Sequence, residues 1–515
     1  MARARGCLQR ILAEFPEDHD AWLRLARLCE STGDGVGALQ ALRSALTAVK
    51  SPEAQAEILE RIGRSEEARG RIELALAAYE QVLALRPTHA EIAVHVAEIR
   101  AERGEIDALV ATLSPVLAAL QAQGGQVALS LRRRAAELVL PHDREGALQE
   151  LEMLVQEDPD DQASRILLAD ALVMGGDGLD RALEHLRWLV VRDPFDIHRL
   201  RALRDVAAQI GQIDLGWQLA VWLGALGAAR PQDKAFLQEW RERMPRWPLR
   251  PLDAGLRLRL RSPREVPMLD ELLGVVARAL PRFFAAPPTV PTREVNTLEL
   301  ETTARRCGQF LGIEDVRVLT DRNLGEGVRY TDNHPPMLIF GAGAVERQGA
   351  GEHAFHVARG IELGGRRVAG LLTWEWRSLQ TLLETVCTLD GGTSPVGTAS
   401  PEEIQQRVEQ LEGLLDRRAR KTLEERLPEL RRLLPGLDLA TALAAWEETA
   451  NRIGLLAVGN ITPAVSVLRR SVMEEGDGPL WERLAGNTAL RNLVRWLVDP
   501  DHLQLRAELG LGPRS

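Results

Sequence analysis

Cysteine is sparse and scattered: the four residues, Cys7, Cys29, Cys307 and Cys387, never fall at C-x-x-C spacing. That excludes the common cysteine-based zinc frameworks and leaves no disulfide pattern to read. Long apolar runs are missing too, since none approaches the roughly 18 residues of a membrane span. No signal-peptide pattern opens the sequence, so a cytoplasmic protein with no membrane span is expected. Neither a Walker A motif nor a G-x-S-x-G segment occurs. In "FGAGAVE", Gly341 and Gly343 are followed by Glu346 where a dinucleotide fingerprint needs its third glycine. An excess of positive charge is absent as well. Lys and Arg number 64 against 74 Asp and Glu, and the net charge of -10 argues against a nucleic-acid partner. What remains is an ordinary composition, 45% hydrophobic and 27% charged, in 515 residues, enough for two or three domains.

What the chain does have is self-similarity, with a period of about 34 residues. Trp22, Leu25, Ala26, Ala38, Leu42 and Ala45 set the frame, and Leu59, Ile62, Gly63, Gly70, Ala75, Tyr79 and Pro87 repeat it. Ala97 and Gly104 mark a third unit, Ala135, Ala147 and Pro159 a fourth, and Ala169, Ala182 and Pro194 a fifth. A weaker sixth carries Leu200, Leu203 and Gly211 and ends near Pro231. The spacing has a physical reason. Two antiparallel helices per unit need small residues where their backbones approach and large apolar ones between units. Gly70, Gly104 and Gly211 allow the turn inside a unit, and Pro87, Pro159 and Pro194 end its second helix. The pattern is similar to the tetratricopeptide repeat family, and an α-solenoid over residues 1–232 is expected. "RARGCLQRILAEFPEDHD" matches only the second half of a unit, so the sequence opens inside a repeat, as a cap or because Met1 is an internal start.

Such solenoids present a groove lined by first helices. The resemblance places Asp20, Leu23, Arg27 and Glu30 there, then Glu57, Glu60, Arg64 and Glu67, then Glu91, Val94, Glu98 and Glu102. Carboxylates dominate that set. A protein or peptide partner with basic residues is expected, the competing reading being a solvated face with no ligand. A clamp for a chaperone's C-terminal carboxylate is not expected, because the Lys, Asn and Arg residues such clamps use are mostly missing.

Beyond Pro231 the pattern changes. Residues 233–265 are rich in proline and arginine and read as a linker. From there to residue 515 an α+β domain is expected, with a small β-sheet and several helices in an otherwise mainly α chain. Strand-like runs "VRVLTD", "VRYTD" and "MLIFG" precede a helix near residues 351–362 and another across 366–387, and "MLIFG" is the candidate free edge. Ser400, Pro401 and Glu403 form a helix start before a long charged helix. "DGGTSPVGTASP" reads as a flexible connector, His334 in "DNHPP" as a turn residue, and Trp374 and Trp376 in "TWEW" fit core packing or partner contact equally.

In "EETANRIGLL" (Glu447 to Leu456), Glu447 and Ala450 fall at the spacing E-x-x-A-D, with Asn451 in place of the final Asp. Together with the order of strands and helices, this half of the chain resembles the M48-type zinc metallopeptidase domain. The combination with repeats is similar to predicted proteins of myxobacteria. Laying "FHVARGIELGG" on that family's F-x-x-G-H-E-x-x-H helix puts Arg359 at the first histidine, Gly360 at the general base and Leu363 at the second histidine. Catalytic zinc needs three protein ligands, an open water position and a carboxylate to take the proton. The resemblance therefore implies a degenerate site, with no catalytic residues, no metal and no cofactor. The expected replacement is an Arg359–Glu447 ion pair beside a packed Leu363. A relocated metal site on His353 and His356, three apart on one helix face, with Glu447 joining them, is the alternative. The expected function is a non-catalytic protein–protein interaction scaffold, against a metallohydrolase with displaced ligands.

Overall fold

A computed structural model of the chain describes residues 2–123, 126–276, 279, 298–332, 334–370, 372, 376–397, 399–470 and 478–514. The chain is mostly helical, with one small sheet. It forms two compact units, Met1–His185 and Leu186–Ser515. The division falls within the helix Leu179–Arg192, so the last helix pair of the expected solenoid, Ile197–Gln209 and Ile213–Ala225, belongs to the second unit.

The first unit starts with a single helix, Ala2–Glu14, followed by the pairs His19–Ser31 with Gly35–Ala48, Pro52–Glu67 with Ile72–Leu85, and Ala90–Glu102 with Ile106–Gln123. Gln126–Val139 with Arg144–Glu157 and Gln162–Gly175 with Leu179–Arg192 continue the pattern. Caps come from the loops. Asp18, Asp34, Asp143 and Asp161 each accept a backbone N–H from the first turn of the helix that follows. The alanines of the repeat pattern sit where helices touch: Ala26, Ala45, Ala75, Ala97, Ala169 and Ala182 are fully buried. Gly63 shows how close that approach is. A Cβ there would lie 2.3 Å from the Tyr79 ring, which is itself fully buried. The intra-unit turn glycines Gly70, Gly104 and Gly211 all adopt left-handed φ, +72, +72 and +78°.

In the second unit the sheet has the order β1-β3-β2, with β1 Arg317–Asp321, β2 Val328–Tyr330 and β3 Met337–Gly341. β3 runs parallel to β1 and antiparallel to β2. The expectation that "MLIFG" is a free edge is therefore corrected, since it is the central strand. Leu338, Ile339 and Phe340 are all buried, and a near-continuous apolar run fits a strand paired on both sides. The helix expected near 351–362 spans Ala350–Gly365. The helix expected across 366–387 is Trp376–Cys387, and Trp374 lies outside the described residues. The long charged helix is two, Pro401–Glu412 and Arg417–Leu433, the first capped by Ser400, whose Oγ accepts the Glu403 N–H at 3.1 Å. A cis peptide joins His334 to Pro335.

Residues 233–265, read from sequence as a linker, are anchored inside this unit. Leu252 N–H donates to the Phe310 carbonyl (2.7 Å) and Leu249 N–H to that of Leu509 (2.9 Å). Met244, Leu252, Leu260 and Ser262 are buried. Its arginines pair with carboxylates far along the chain: Arg259 with Glu508 and Arg264 with Glu448. No described helix is long and apolar enough to cross a membrane.

Candidate functional site

The decade His356 to Gly365 lies on the helix Ala350–Gly365, held between the sheet and the helix Leu439–Val458. Three glycines permit this. A Cβ on Gly454 would stand 2.7 Å from the Phe355 ring and 3.3 Å from Arg359 Cγ. One on Gly360 would stand 2.4 Å from Leu338 Cδ2 and 2.8 Å from Tyr330 Cδ1, and one on Gly364 2.5 Å from the Thr331 carbonyl oxygen. Any side chain at Gly360, the position expected from sequence to match a general base, would force Leu338 or Tyr330 to shift.

Arg359 is brought to Glu447: Nη2 lies 3.4 Å from Oε1. The expected contact is present. The Arg359 side chain is 9% exposed while that of Glu447 is 48% exposed, so the pair sits at a rim, not in the interior. Arg359 also has aromatic partners. Nη1 donates to Tyr330 Oη at 3.2 Å, and the guanidinium lies 5.5 Å from the Tyr330 ring centre and 5.7 Å from that of Phe355. Tyr330 Oη in turn lies 2.7 Å from His356 Nδ1. The hydroxyl, accepting from Arg359, thus links that guanidinium to His356. Burial, then the Arg359 charge, pushes the His356 pKa down to about 3. Burial also raises that of Tyr330.

His353 points elsewhere. Its Nε2 hydrogen-bonds the Ala344 carbonyl at 3.1 Å, and both histidine rings meet Phe340 edge-on. Leu363 is fully buried in a cluster with Leu272, Val368, Leu382, Trp446 and Ala450. Asn451 is buried, and its Oδ1 has no protein partner among the described residues. This donor set does not suit a metal: His356 Nδ1 bonds a hydroxyl and His353 Nε2 a carbonyl, His353 Nδ1 is left buried without a protein partner among the described residues, and the Arg359 guanidinium, a fixed cation, lies beside Glu447. Among the described residues no three or more His, Cys, Asp or Glu side chains are grouped to hold a metal.

A buried charge network that sequence reading missed adjoins Leu363. Arg366 binds Glu362 at 2.6 Å and Glu265 at 2.7 Å, and Asp270 lies 3.6 Å away. Trp446 Nε1 donates to Asp270 at 2.8 Å, and burial pushes that carboxyl's pKa up. Only the i, i+4 spacing of Glu362 and Arg366 was visible in the sequence.

The repeat positions show a second pattern. Glu30 pairs with Arg61 (2.9 Å), Glu60 with Arg64 and with His89 (3.6 Å), and Glu98 with Arg134 (2.8 Å). Glu67 takes hydrogen bonds from Tyr79 and His95, each at 2.8 Å. Glu57 has Arg86 at 3.9 Å and Asp20 has His19 at 3.8 Å. Arg27, Glu91 and Glu102 are exposed, whereas Val94 is buried at 5% exposure and faces the core. At the surface expected to be acidic, Arg61 and Arg134 neutralise Glu30 and Glu98, and His89 and His95 lie against Glu60 and Glu67. These partners come from neighbouring helices, and the choice of groove positions passed over them.

A family model for the tetratricopeptide repeat matches residues 2–54 and 60–108. The chain carries tetratricopeptide repeats. No curated protein matches the chain. Among solved structures, a tetratricopeptide repeat protein from Parabacteroides merdae is 15% identical, with a TM-score of 0.30 over 44% of this chain and 88% of that one. The C-terminal part of a tetratricopeptide repeat protein from Cytophaga hutchinsonii is 13% identical, with a TM-score of 0.35 over 46% and 94%. YrrB, described as having an unusual peptide-binding site, is 14% identical, with a TM-score of 0.30 over 38% and 96%.

Proposed function

We propose that this tetratricopeptide repeat chain is a non-catalytic, cytoplasmic interaction scaffold. Its repeats, which we bound at residues 1–232, hold a protein or peptide segment. Residues 266–515 are a peptidase-like domain that has lost its chemistry, and Arg359, Gly360, Leu363, Glu447 and Asn451 mark the former site. One observation carries the second half of this reading. The helix that would bear the ligands holds an arginine clamped by Tyr330 and Glu447, followed by a glycine with no space for a carboxylate. A dication there would face a fixed positive charge, and no base could take a proton from its water.

Basic residues of a partner would engage the repeats where carboxylates lack close cations, at Glu91 and Glu102. An exposed carboxylate recruits a lysine or arginine mainly through long-range attraction, which salt screens. The test has two arms. Elemental analysis of the purified protein should find no stoichiometric zinc; zinc that is lost in His353→Ala would overturn the pseudoenzyme reading. A partner captured from the source organism by the full chain should be lost with Glu91→Lys plus Glu102→Lys and at high salt. Capture indifferent to both would remove the repeat groove from the reading.

A further inference from the structure

Arginines of the first unit also gather away from the groove positions. Between the helix Gly35–Ala48 and the turn that joins Pro52–Glu67 to Ile72–Leu85 lies a cleft of about 610 Å³. Its lining holds Arg43, Arg69 and Arg71 against a single carboxylate, Glu66. That carboxylate is 1% exposed and is already engaged: Arg43 Nη2 lies 2.8 Å from Oε1 and Arg71 Nη1 3.8 Å from Oε2. Arg43 and Arg71 nevertheless keep 60% and 53% of their side chains exposed. Arg69 is exposed and has no ion pair among the described residues. At the rim, Val36 presents 63% of its surface to solvent.

These features differ from a solvated charged face in two ways. Three arginines line one concavity with a single, buried carboxylate among them, in a chain whose net charge is -10. An exposed valine beside them supplies an apolar contact that repeat packing does not use. We propose that this outer cleft binds an acidic peptide segment. Its carboxylates bridge Arg69 and Arg71, and one aliphatic side chain covers Val36. Arginine's planar fork suits carboxylates bidentately, which favours an Asp- or Glu-rich segment over a lone anion. Arg43 acts as a positioning residue, since its bond to buried Glu66 fixes the floor of the cleft. The site does not depend on the groove binding anything or on the peptidase-like reading.

Fluorescence anisotropy with the full chain tests it, using a dye-labelled, end-capped Glu-Glu-Leu-Glu-Glu peptide as probe and the uncharged Gln-Gln-Leu-Gln-Gln peptide as its counterpart. The acidic probe should bind saturably, with Kd below about 1 mM at about 50 mM salt, and more weakly as salt rises. Arg69→Gln with Arg71→Gln should weaken it by about tenfold or more, while Arg134→Gln leaves it unchanged. Val36→Glu, a change at a solvent-facing position, should also weaken binding, with circular dichroism unaltered. Absence of saturable binding, equal binding of the glutamine peptide, or undiminished binding by either cleft variant would overturn the proposal. Because probe and variants avoid Glu91, Glu102 and the helix Ala350–Gly365, failure here leaves the proposed function standing, and the reverse.

Discussion

Gly360→Ala separates two opposed effects whose magnitudes the geometry decides. In an unobstructed helix interior, alanine in place of glycine gains about 1 kcal/mol, because the unfolded chain loses freedom and the helix gains propensity. At Gly360 the added methyl would stand 2.4 Å from Leu338 Cδ2 and 2.8 Å from Tyr330 Cδ1. Neither neighbour can give way cheaply. Leu338 is fully buried in the central strand, and Tyr330 is tied to both Arg359 and His356. Overpacking of this kind costs about 1–3 kcal/mol, so a net destabilisation of about 0–2 kcal/mol is expected. Gly274, exposed in the helix Pro267–Val276 with nothing within 4 Å of a built Cβ, supplies the control and should gain about 0.5–1 kcal/mol as alanine. Denaturant midpoints followed by near-UV circular dichroism should therefore move in opposite directions for the two variants. If both rise together, the close approach of sheet and helix is wrong, and with it the claim that no base could be accommodated at this position.

Leu363→His should lower stability by about 3 kcal/mol, since it removes a fully buried leucine and buries an unpaired imidazole, and zinc analysis should show no gain of metal. Tyr330→Phe should cost about 1–2 kcal/mol by leaving Arg359 and His356 short of a partner, whereas Glu447→Gln should cost under about 1 kcal/mol because its 3.4 Å contact is half in solvent; equal losses in urea titrations would refute that ranking. Acid should destabilise the second unit. Burial holds the pKa of His356 at about 3 when folded, below the roughly 6.5 of a free histidine, so the unfolded chain binds the extra proton first. Its contribution is complete above pH about 6.5 and is lost as pH falls toward 3, and a pH series of melting temperatures should be flatter in His356→Leu.

The repeats were legible in the sequence because each unit must solve the same local packing problem. Ala26, Ala75, Ala97 and Ala182 lie where helices touch, and Gly70, Gly104 and Gly211 turn with positive φ, as their spacing required. Helix and strand locations around the decade followed for the same reason, since periodicity and caps are written along the chain. Which residues meet across the chain is not. The sequence placed "MLIFG" in a strand, but only pairing on both sides made it central, because apolar alternation cannot count a strand's neighbours. Residues 233–265 read as a linker because proline and arginine signal a loop wherever they occur; their anchors, Phe310, Leu509 and Glu448, lie tens to hundreds of positions away. The acidic tally of groove positions missed Arg61 and Arg134, since charge neutralisation depends on the next helix and not on the one being read. Arg359 and Glu447 were aligned from sequence, yet Tyr330 and His356, which decide the state of that arginine, were brought to it by the packing of a short strand against a helix. Residue types and local periods are set by the chain itself, while partners, burial and the charge left over are set by what the fold brings near.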